Sequence, residues 1–265
     1  MLTISSLQNP RVKKLLEWQE KSRARNNDGR FVVEGPREIR LALAGGYRIE
    51  SLYFCPQLIN TEEAEQAIEE AGNAEQIELS LQVFEKLAYR KTTGGLLAVG
   101  LMKEHSLEQL RRGDQPLMLI CEGVEKPGNL GALLRTADAA RLDGLIICDP
   151  RADFYNPNVI RSSVGCVFTQ PLAAATSEDT IDWLRAQRIK IYATALTASV
   201  RYDAIDFRQP SAIVMGTEAT GLSDTWLRAS DQNIIIPMRG VIDSMNVSAA
   251  AAVVVFEAAR QRGFA

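Results

Sequence analysis

An α/β fold with two domains is predicted by the length, the composition and the alternation of strand-like and helix-like segments. The 265 residues exceed one average domain. Hydrophobic residues make up 46% and charged residues 24%, as in chains that bury a substantial core. Short apolar runs alternate with helical patterns along most of the chain, which is typical of layered α/β domains. We predict an N-terminal domain at 1–102, a linker at 103–116 and a C-terminal domain at 117–265.

The first domain is predicted to begin with a short basic helix. Asn9 is a candidate N-cap, and Pro10 suits the first helical position. Strands and helices then alternate. The predicted strands are RFVVEG, RIESLYFC, QIELS and GGLLAVGLM, and the predicted helices are PREIRLALAGG, TEEAEQAIEEAG and LQVFEKLAY. The polar stretch KEHSLEQLRRGDQP ends in a proline and marks the linker.

The second domain is predicted to contain a parallel sheet with helices on both faces. LMLIC and GLIIC are fully apolar runs, which is typical of central strands in such a sheet. Between them, PGN is expected to form a turn before a helix of fourteen residues, and KIYATAL, SAIVMG and NIIIPM supply three further strands. The last helix, from about Met245 to Gln261, has no charge before Glu257. We therefore expect it to be buried nearly all round, in the core or against a second subunit.

Several classes of protein and site are excluded by the composition. The four cysteines match no paired metal or redox spacing and are predicted to be buried and reduced; they are Cys55, Cys121, Cys148 and Cys166. The single histidine, His105, lies in a charged stretch, which argues against histidine-based triads and multi-histidine metal sites. The longest uncharged stretch near the C-terminus, 244–256, is shorter than the roughly 20 residues of a membrane-spanning helix. Because the N-terminus also lacks signal-peptide features, we expect a cytoplasmic protein. The lack of a cluster of candidate ligands leads us to expect no metal.

Positive charge is concentrated at the N-terminus. Residues 1–30 carry seven basic and three acidic side chains, whereas residues 60–80 carry seven acidic side chains and no basic one. Such segregation suggests an anionic partner, and polyphosphate backbones are the usual one. A helix face with solvated lysines and arginines explains the charge equally well.

Three polar segments follow predicted strands of the second domain, where ligands of open parallel sheets bind. They are EKPGNLGALLRTADAAR, MGTEATGLS and IPMRGVIDSMNVSAA. The first has Gly128 and Gly131 alone at a spacing of three, and no Gly-Lys-Ser/Thr occurs in the chain, which argues against dinucleotide and triphosphate sites. In the second, Glu218 lies among small residues that allow a ligand to approach the backbone.

In this order and at these separations, the three segments resemble the signature motifs of the SpoU or TrmH branch of the SPOUT RNA methyltransferases, over about residues 117–262. The resemblance implies a trefoil knot, S-adenosylmethionine as cofactor, a homodimer through the C-terminal domain, and methyl transfer to a ribose 2′-hydroxyl of RNA. The N-terminal half is similar to the RNA substrate-binding domain of members that modify ribosomal RNA, a small α/β domain resembling RNA-binding ribosomal proteins. This favours 23S ribosomal RNA. The alternatives are transfer RNA as substrate and a non-catalytic RNA-binding protein, and housekeeping and antibiotic-resistance enzymes would share this site.

The resemblance also implies roles for individual residues. Arg135 matches an arginine that is proposed in the family to take the ribose proton. Since the pKa of a guanidinium lies above about 12, we favour a cation that holds the target phosphate and stabilises the developing alkoxide, with the proton acceptor left open. A surface salt bridge is the alternative reading of Arg135. The other predicted catalytic residues are Asn129, Glu218, Ser244 and Asn246.

These catalytic assignments have structural alternatives, because Asn129 can simply form a turn, and Ser244 and Asn246 can cap the last helix. Glu218 is expected to hold Arg135 or to accept a hydrogen bond from the ribose. The predicted cofactor-binding residues are Thr194, Ala195, Gly216, Ile236 and Met245, with the last two as an apolar bed for the adenine. The predicted RNA-binding residues are Arg11, Lys13, Lys14, Arg23, Arg25, Arg30 and Arg37.

Overall fold

The chain forms two compact units in a computed structural model that describes residues 2–89, 94–110, 113–150, 153–197, 199–217 and 220–264. Unit 1 comprises Met1–Glu104 and Asp153–Thr169, and unit 2 comprises His105–Ala152 and Gln170–Ala265. The segment 153–169 therefore belongs to unit 1, although it follows the predicted linker by 36 residues or more in the sequence.

The secondary structure alternates between strands and helices through most of both units. The strands are β1 (Leu2–Ile4), β2 (Arg30–Glu34), β3 (Ile49–Phe54), β4 (Glu75–Leu79), β5 (Leu96–Leu101), β6 (Leu117–Glu122), β7 (Gly144–Cys148), β8 (Leu172–Ala175), β9 (Lys190–Thr194), β10 (Ser199–Arg201), β11 (Ser211–Met215) and β12 (Gln232–Ile235). The α-helices are α1 (Pro10–Glu20), α2 (Ser22–Asp28), α3 (Pro36–Ala44), α4 (Glu62–Glu70), α5 (Leu81–Leu87), α6 (Pro127–Ala139), α7 (Pro157–Ser162), α8 (Ser177–Ala186), α9 (Asp224–Ala229) and α10 (Val247–Gln261).

Unit 1 contains a mixed five-stranded sheet in the order β1-β4-β3-β5-β2. β4 runs parallel to β1 and β3, whereas β5 runs antiparallel to β2 and β3. Every helix and strand predicted for this part of the chain is present, and β1 and α2 are additional. Asn9 caps α1 as predicted, since its side chain accepts a hydrogen bond from the Arg11 backbone N at 2.9 Å.

A buried ion pair joins α2 to the segment 153–169 within unit 1. The Arg25 guanidinium is 1% exposed and lies 2.7 Å from the Asp153 carboxylate. The same guanidinium also donates to the Gln19 carbonyl oxygen at 3.2 Å. Arg25 was predicted to bind RNA, but its burial leaves no surface for a phosphate, so we remove it from that set. Charge alone did not distinguish a buried arginine from an exposed one.

Unit 2 contains a seven-stranded sheet in the order β10-β12-β9-β11-β6-β7-β8, in which all neighbouring pairs are parallel. β7 is buried along its whole length and β6 over residues 117–121, as the fully apolar runs GLIIC and LMLIC predicted. β11 is buried along its whole length as well. The expected turn at PGN is wrong, because Pro127 is the first residue of α6 and these residues form its first turn. In unit 2 the elements β8, β10 and α8 were not predicted, and neither was α7, which belongs to unit 1.

The last helix, α10, buries one face and leaves the other open. Its buried residues are Val247, Ala251, Val254, Val255, Ala258 and Ala259. On the opposite side Phe256 is 41% exposed, so one chain alone does not bury the helix all round, and burial against a second subunit stays a prediction. Beyond the helix, Arg262 donates to the carbonyl oxygens of Phe207 and Gln209, both at 2.8 Å, and so ties α10 to the segment before β11.

In the described parts of the chain, no helix combines the length and the apolar character needed to cross a membrane.

Candidate cofactor and catalytic site

A cavity of about 510 Å³ opens in unit 2 at the carboxyl ends of β9, β11 and β12. Its size falls within the range of about 300–1,000 Å³ that is typical of small-ligand sites. The walls come from the loops after these strands and from the first half of α10. All five predicted cofactor-binding residues line it, namely Thr194, Ala195, Gly216, Ile236 and Met245. Ser244, one of the predicted catalytic residues, lines it as well.

The loop after β11 folds tightly against its own backbone. The Thr217 backbone N donates to the Gly221 carbonyl oxygen at 3.0 Å, and the Gly221 N donates to the Thr217 carbonyl oxygen at 3.1 Å. A Cβ atom at Gly216 would lie 2.3 Å from the Gly221 carbonyl carbon and 2.4 Å from the Leu222 N. Gly216 is therefore required by the fold of this loop, in addition to any approach by a ligand. Glu218 lies outside the described residues, and its role stays a prediction.

A residue that the sequence analysis missed, Glu122, fastens the far end of this loop to β6. Its carboxylate accepts a hydrogen bond from the Ser223 backbone N at 2.8 Å and lies 3.4 Å from the Ser177 hydroxyl. The same hydroxyl donates to Asp149 at 2.6 Å and accepts from the indole Nε1 of the fully buried Trp226 at 2.9 Å. Glu122 directly follows the apolar run LMLIC, and this polar residue at a strand end was the available signal.

Glu122→Ala is expected to weaken the binding of S-adenosylmethionine about tenfold, because a hydrogen bond to a charged group contributes about 1.5–3 kcal/mol and about 1.4 kcal/mol is tenfold in affinity. Glu122→Gln keeps an acceptor for the Ser223 N–H and should bind within about threefold of the parent. Calorimetric titration measures both. An unchanged Kd for Glu122→Ala would show that the loop holds its shape without this contact.

Two asparagines link α6 to the start of α10. The Asn246 Oδ1 accepts hydrogen bonds from the Ser248 N at 3.1 Å and the Ala249 N at 3.4 Å, so Asn246 caps α10. Because Oδ1 is fixed by the cap, Nδ2 faces α6 and donates to the Asn129 Oδ1 at 3.1 Å. Ser244 and Met245 come just before the cap and line the cavity. The asparagine pair is therefore next to the cavity wall along the chain.

Arg135 is exposed on α6, and its side chain makes no hydrogen bond or ion pair with any described residue. It lies six positions after Asn129, which places the two side chains about 120° apart around the helix. The described residues therefore provide no surface salt bridge to explain Arg135, and its guanidinium is available to an anion. Of the predicted catalytic residues, the structure joins Asn129 to Asn246 by direct contact and leaves Arg135 separate.

Thiol and metal chemistry have little support in this region. Cys121 and Cys148 are buried in the central strands, and burial raises the pKa of the Cys148 thiol to about 12. A thiol with so high a pKa stays protonated and is a poor nucleophile and metal ligand. The residues that the structure describes contain no group of three histidine, cysteine, aspartate or glutamate side chains that could hold a metal ion.

Comparison with known proteins identifies the family. The family model described as the SpoU rRNA Methylase family matches residues 116–256, and that of the MRM3-like substrate binding domain matches residues 9–98. The chain belongs to the SpoU rRNA methylase family. This confirms the family predicted from the three motifs, and residues 9–98 match a substrate-binding domain as the N-terminal sequence indicated.

Relatives of this SpoU family chain match it over nearly its whole length. A 23S rRNA (guanosine(2553)-2′-O)-methyltransferase of Bacillus subtilis is 30% identical over an alignment that covers 97% of this chain and 98% of the relative's length. A 23S rRNA (uridine(2479)-2′-O)-methyltransferase of Streptomyces viridochromogenes is 30% identical over 93% of this chain and 89% of its own. The crystal structure of an AdoMet-bound rRNA methyltransferase from Sinorhizobium meliloti, 30% identical, matches with a TM-score of 0.88 over 97% of both chains. The predicted α/β fold is confirmed by this likeness, and the trefoil knot stays a prediction.

Proposed function

We propose that this protein transfers a methyl group from S-adenosylmethionine to a ribose 2′-hydroxyl of 23S ribosomal RNA. The observation that carries the proposal is that all five predicted cofactor-binding residues, three of them matched to the family motifs, line one cavity of about 510 Å³. Full-length relatives are 23S rRNA 2′-O-methyltransferases, and a structural neighbour is AdoMet-bound. The cytoplasmic location expected from the sequence accords with a ribosomal substrate.

The cavity suits a molecule with an apolar ring and a polar tail. Ile236 and Met245 offer apolar surface for an adenine ring, and Thr194 and Thr217 add polar groups to the wall. Gly216 keeps the backbone of the β11 loop close to the cavity. When bound, S-adenosylmethionine supplies an electrophilic methyl group on its sulfonium. The protein must then exclude water and hold the ribose oxygen in line with that methyl group.

Arg135 is the residue we assign to the substrate side. Methyl transfer forms an O–C bond at the 2′-oxygen, breaks the S–C bond and releases the hydroxyl proton. A guanidinium stabilises the negative charge that develops on the oxygen and can bind the neighbouring phosphate in a bidentate manner. The Asn129–Asn246 hydrogen bond holds α6 at the start of α10, and Ser244 at the cavity wall is available to the ribose.

Labelled methyl transfer tests the proposal directly. Total RNA and large-subunit particles from a strain lacking this protein would be incubated with labelled S-adenosylmethionine, and the RNA would be digested to nucleosides. We expect label in one 2′-O-methylated nucleoside of 23S rRNA. Label in transfer RNA instead would favour the alternative substrate. No label in either preparation, with cofactor binding shown by calorimetry, would mean that the motifs serve binding alone.

Unit 1 supplies the cations that we propose contact RNA phosphates. Lys13, Arg23 and Arg37 are exposed, and among the described residues none of the three has an ion-pair partner. The other three candidates already pair with carboxylates: Arg11 with Glu75, Lys14 with Glu17 and Asp28, and Arg30 with Glu50. The pairs of Arg11 and Lys14 are largely exposed, and such pairs are worth less than about 1 kcal/mol and can be exchanged for a phosphate. Arg30 is bound by both oxygens of Glu50 and is held more firmly.

Replacing Lys13, Arg23 and Arg37 together by glutamine is expected to flatten the salt dependence of RNA binding. Each lost phosphate contact reduces the magnitude of the slope of log K against log salt by about 0.7–0.9. The slope of the triple variant should therefore be smaller in magnitude by roughly 2–3. Filter binding of a 23S rRNA transcript at several salt concentrations measures this slope. Arg185→Gln, an exposed arginine of unit 2, is the control. An unaltered slope in the triple variant would show that these three side chains are solvated and do not contact RNA phosphates.

A second copy of the chain is proposed to cover the apolar surface around the start of α10. Val241 is fully exposed, Ile242 is 67% exposed, and Phe256 on α10 is 41% exposed. Burial of such side chains is favourable by about 25 cal/mol per Å², which supports the homodimer through the C-terminal domain implied by the family resemblance. Sedimentation of a monomer at micromolar concentration would contradict it.

A further inference from the structure

Unit 1 carries an aromatic ring that is open to solvent and has a cation held over it. Tyr89, two residues after α5, is 64% exposed. The guanidinium carbon of Arg161, in α7, lies 4.2 Å from the centroid of its ring. We propose that Tyr89 and Arg161 form a stacking platform for an unpaired nucleobase of the RNA substrate. The inference rests on the proposed function and extends it to substrate recognition by unit 1.

Both members of the pair are held in place by further hydrogen bonds. The Tyr89 backbone N donates to the Glu34 carboxylate at 3.0 Å, which fixes the chain at the end of β2. The Arg161 Nη2 donates to the Asn158 Oδ1 at 2.8 Å, one turn earlier in α7. Because these hydrogen bonds already hold Tyr89 and Arg161, the conformational entropy of ordering the two residues is lost on folding and not on RNA binding. The platform is therefore arranged before any ligand binds.

The Tyr89 pair differs from the other two cation–π pairs among the described residues. Lys14 lies over Trp18, whose indole is half-buried and donates to Asp28 at 2.7 Å. Lys103 lies over Tyr47, which is 5% exposed and belongs to the core. Both of these rings are occupied by protein contacts, whereas most of the Tyr89 ring faces solvent.

The charge of Arg161 is also uncompensated by any acidic side chain among the described residues. No described carboxylate forms an ion pair with it, in contrast to Arg11 and Arg30. The strand end that anchors Tyr89 leads within three residues to Arg37, an exposed cation with no ion pair to any described residue. An open ring and a planar cation suit a ligand with a flat aromatic part and a phosphate.

An unpaired nucleobase has this chemistry. Proteins that bind single-stranded RNA stack its bases on tyrosine rings and arginine planes, and the stacking is tolerant of sequence. Bases inside an A-form helix are covered on both faces by their neighbours and cannot use such a platform. We therefore assign Tyr89 and Arg161 to a base in a loop, bulge or single strand of ribosomal RNA.

The test is the affinity of Tyr89 variants for a 23S rRNA transcript, measured by filter binding at several salt concentrations. Tyr89→Ala should bind about 5- to 150-fold more weakly, which corresponds to the roughly 1–3 kcal/mol of one base stacked on an aromatic ring. Its salt slope should stay that of the parent, because no charge is removed. Tyr89→Phe keeps the ring and should bind within about twofold of the parent. Arg161→Lys keeps the charge but loses the plane, so it should lose affinity at an unchanged slope.

Phe264→Ala is the matched control, since this ring is 66% exposed and lies in unit 2. It should leave RNA affinity unchanged. Tyr89→Ala with parental affinity overturns the platform, and so does Tyr89→Phe with the same loss as Tyr89→Ala. Methyl transfer by the parent protein is assayed on the same transcript and on large-subunit particles. If the parent protein methylates RNA and Tyr89→Ala binds RNA with the parental affinity, the platform alone is refuted. If the parent protein neither binds nor methylates RNA, the proposed function and the platform are refuted together.

Discussion

Arg135→Ala is expected to lower kcat for RNA methylation by about 100- to 1,000-fold, the usual cost of removing one donor that stabilises a developing oxyanion. Arg135 is exposed on α6 without a partner among the described residues, so its loss leaves no buried charge behind and should not unfold the protein. Because Arg135 does not line the cavity, the Kd for S-adenosylmethionine should stay within about twofold of the parent. Single-turnover methylation of 23S rRNA and calorimetric titration of the cofactor measure the two quantities separately.

Two further variants separate the function of Arg135 from its charge. Arg135→Lys keeps a cation but loses the planar pair of donors, and it should recover only part of the rate. Arg185→Ala removes another exposed arginine, on α8, and should leave the rate unchanged. If Arg135→Ala methylates within about threefold of the parent rate, less than about 1 kcal/mol of barrier, then Arg135 takes no part in the reaction.

The central strands and long helices could be predicted because burial on both sides imposes a pattern that the sequence shows. β6 and β7 contain the continuous apolar runs LMLIC and GLIIC, and the first helix has a proline and a capping asparagine. β1 and β10 have only three residues each, too few for a period to be visible. The sequence did indicate the start of α8, because Thr176 is a good N-cap residue and is followed by the acidic residues Glu178 and Asp179 in the first turn. In the structure the Thr176 side chain accepts a hydrogen bond from the Asp179 backbone N.

The cofactor cavity was partly predictable for a topological reason. Its lining segments follow β9, β11 and β12, which are neighbours in a parallel sheet and end at the same edge. Polar and small residues after apolar runs therefore indicated where a ligand site should be. The contact of Glu122 with Ser223 was not predictable, because it joins residues 101 apart and depends on how the β11 loop folds.

Charge gave the least reliable guide to individual residues. Seven basic side chains near the N-terminus were all candidates for RNA contact, yet Arg25 is buried against Asp153, which lies 128 residues away in the sequence. Arg11 on α1 pairs with Glu75 on β4, and Arg30 on β2 pairs with Glu50 on β3, although β5 lies between these two strands in the sheet. The sequence records which residues carry charge, but burial and pairing are set by the tertiary fold.

Gly216→Ala is expected to weaken the binding of S-adenosylmethionine at least about tenfold and to lower the free energy of unfolding by about 1–3 kcal/mol, the usual cost of an overpacked site. The new Cβ would lie 2.3 Å from the Gly221 carbonyl carbon and 2.4 Å from the Leu222 N. Both atoms belong to the backbone of a loop closed by the Thr217–Gly221 hydrogen bonds, so no side-chain rotation can relieve the contact. The loop must move by roughly 1 Å to restore an ordinary van der Waals distance, and it forms part of the cavity wall.

Gly128→Ala is the matched control, because a Cβ atom at Gly128 meets nothing within 4 Å and the residue lies in the first turn of α6. Alanine is the better helix former, so this variant should unfold at the same temperature as the parent or slightly above it, with an unchanged Kd for the cofactor. Calorimetric titration and thermal unfolding of both variants give the comparison. If Gly216→Ala binds the cofactor as tightly as Gly128→Ala does, the β11 loop is not part of the binding site, and the cavity must take the cofactor through its other walls.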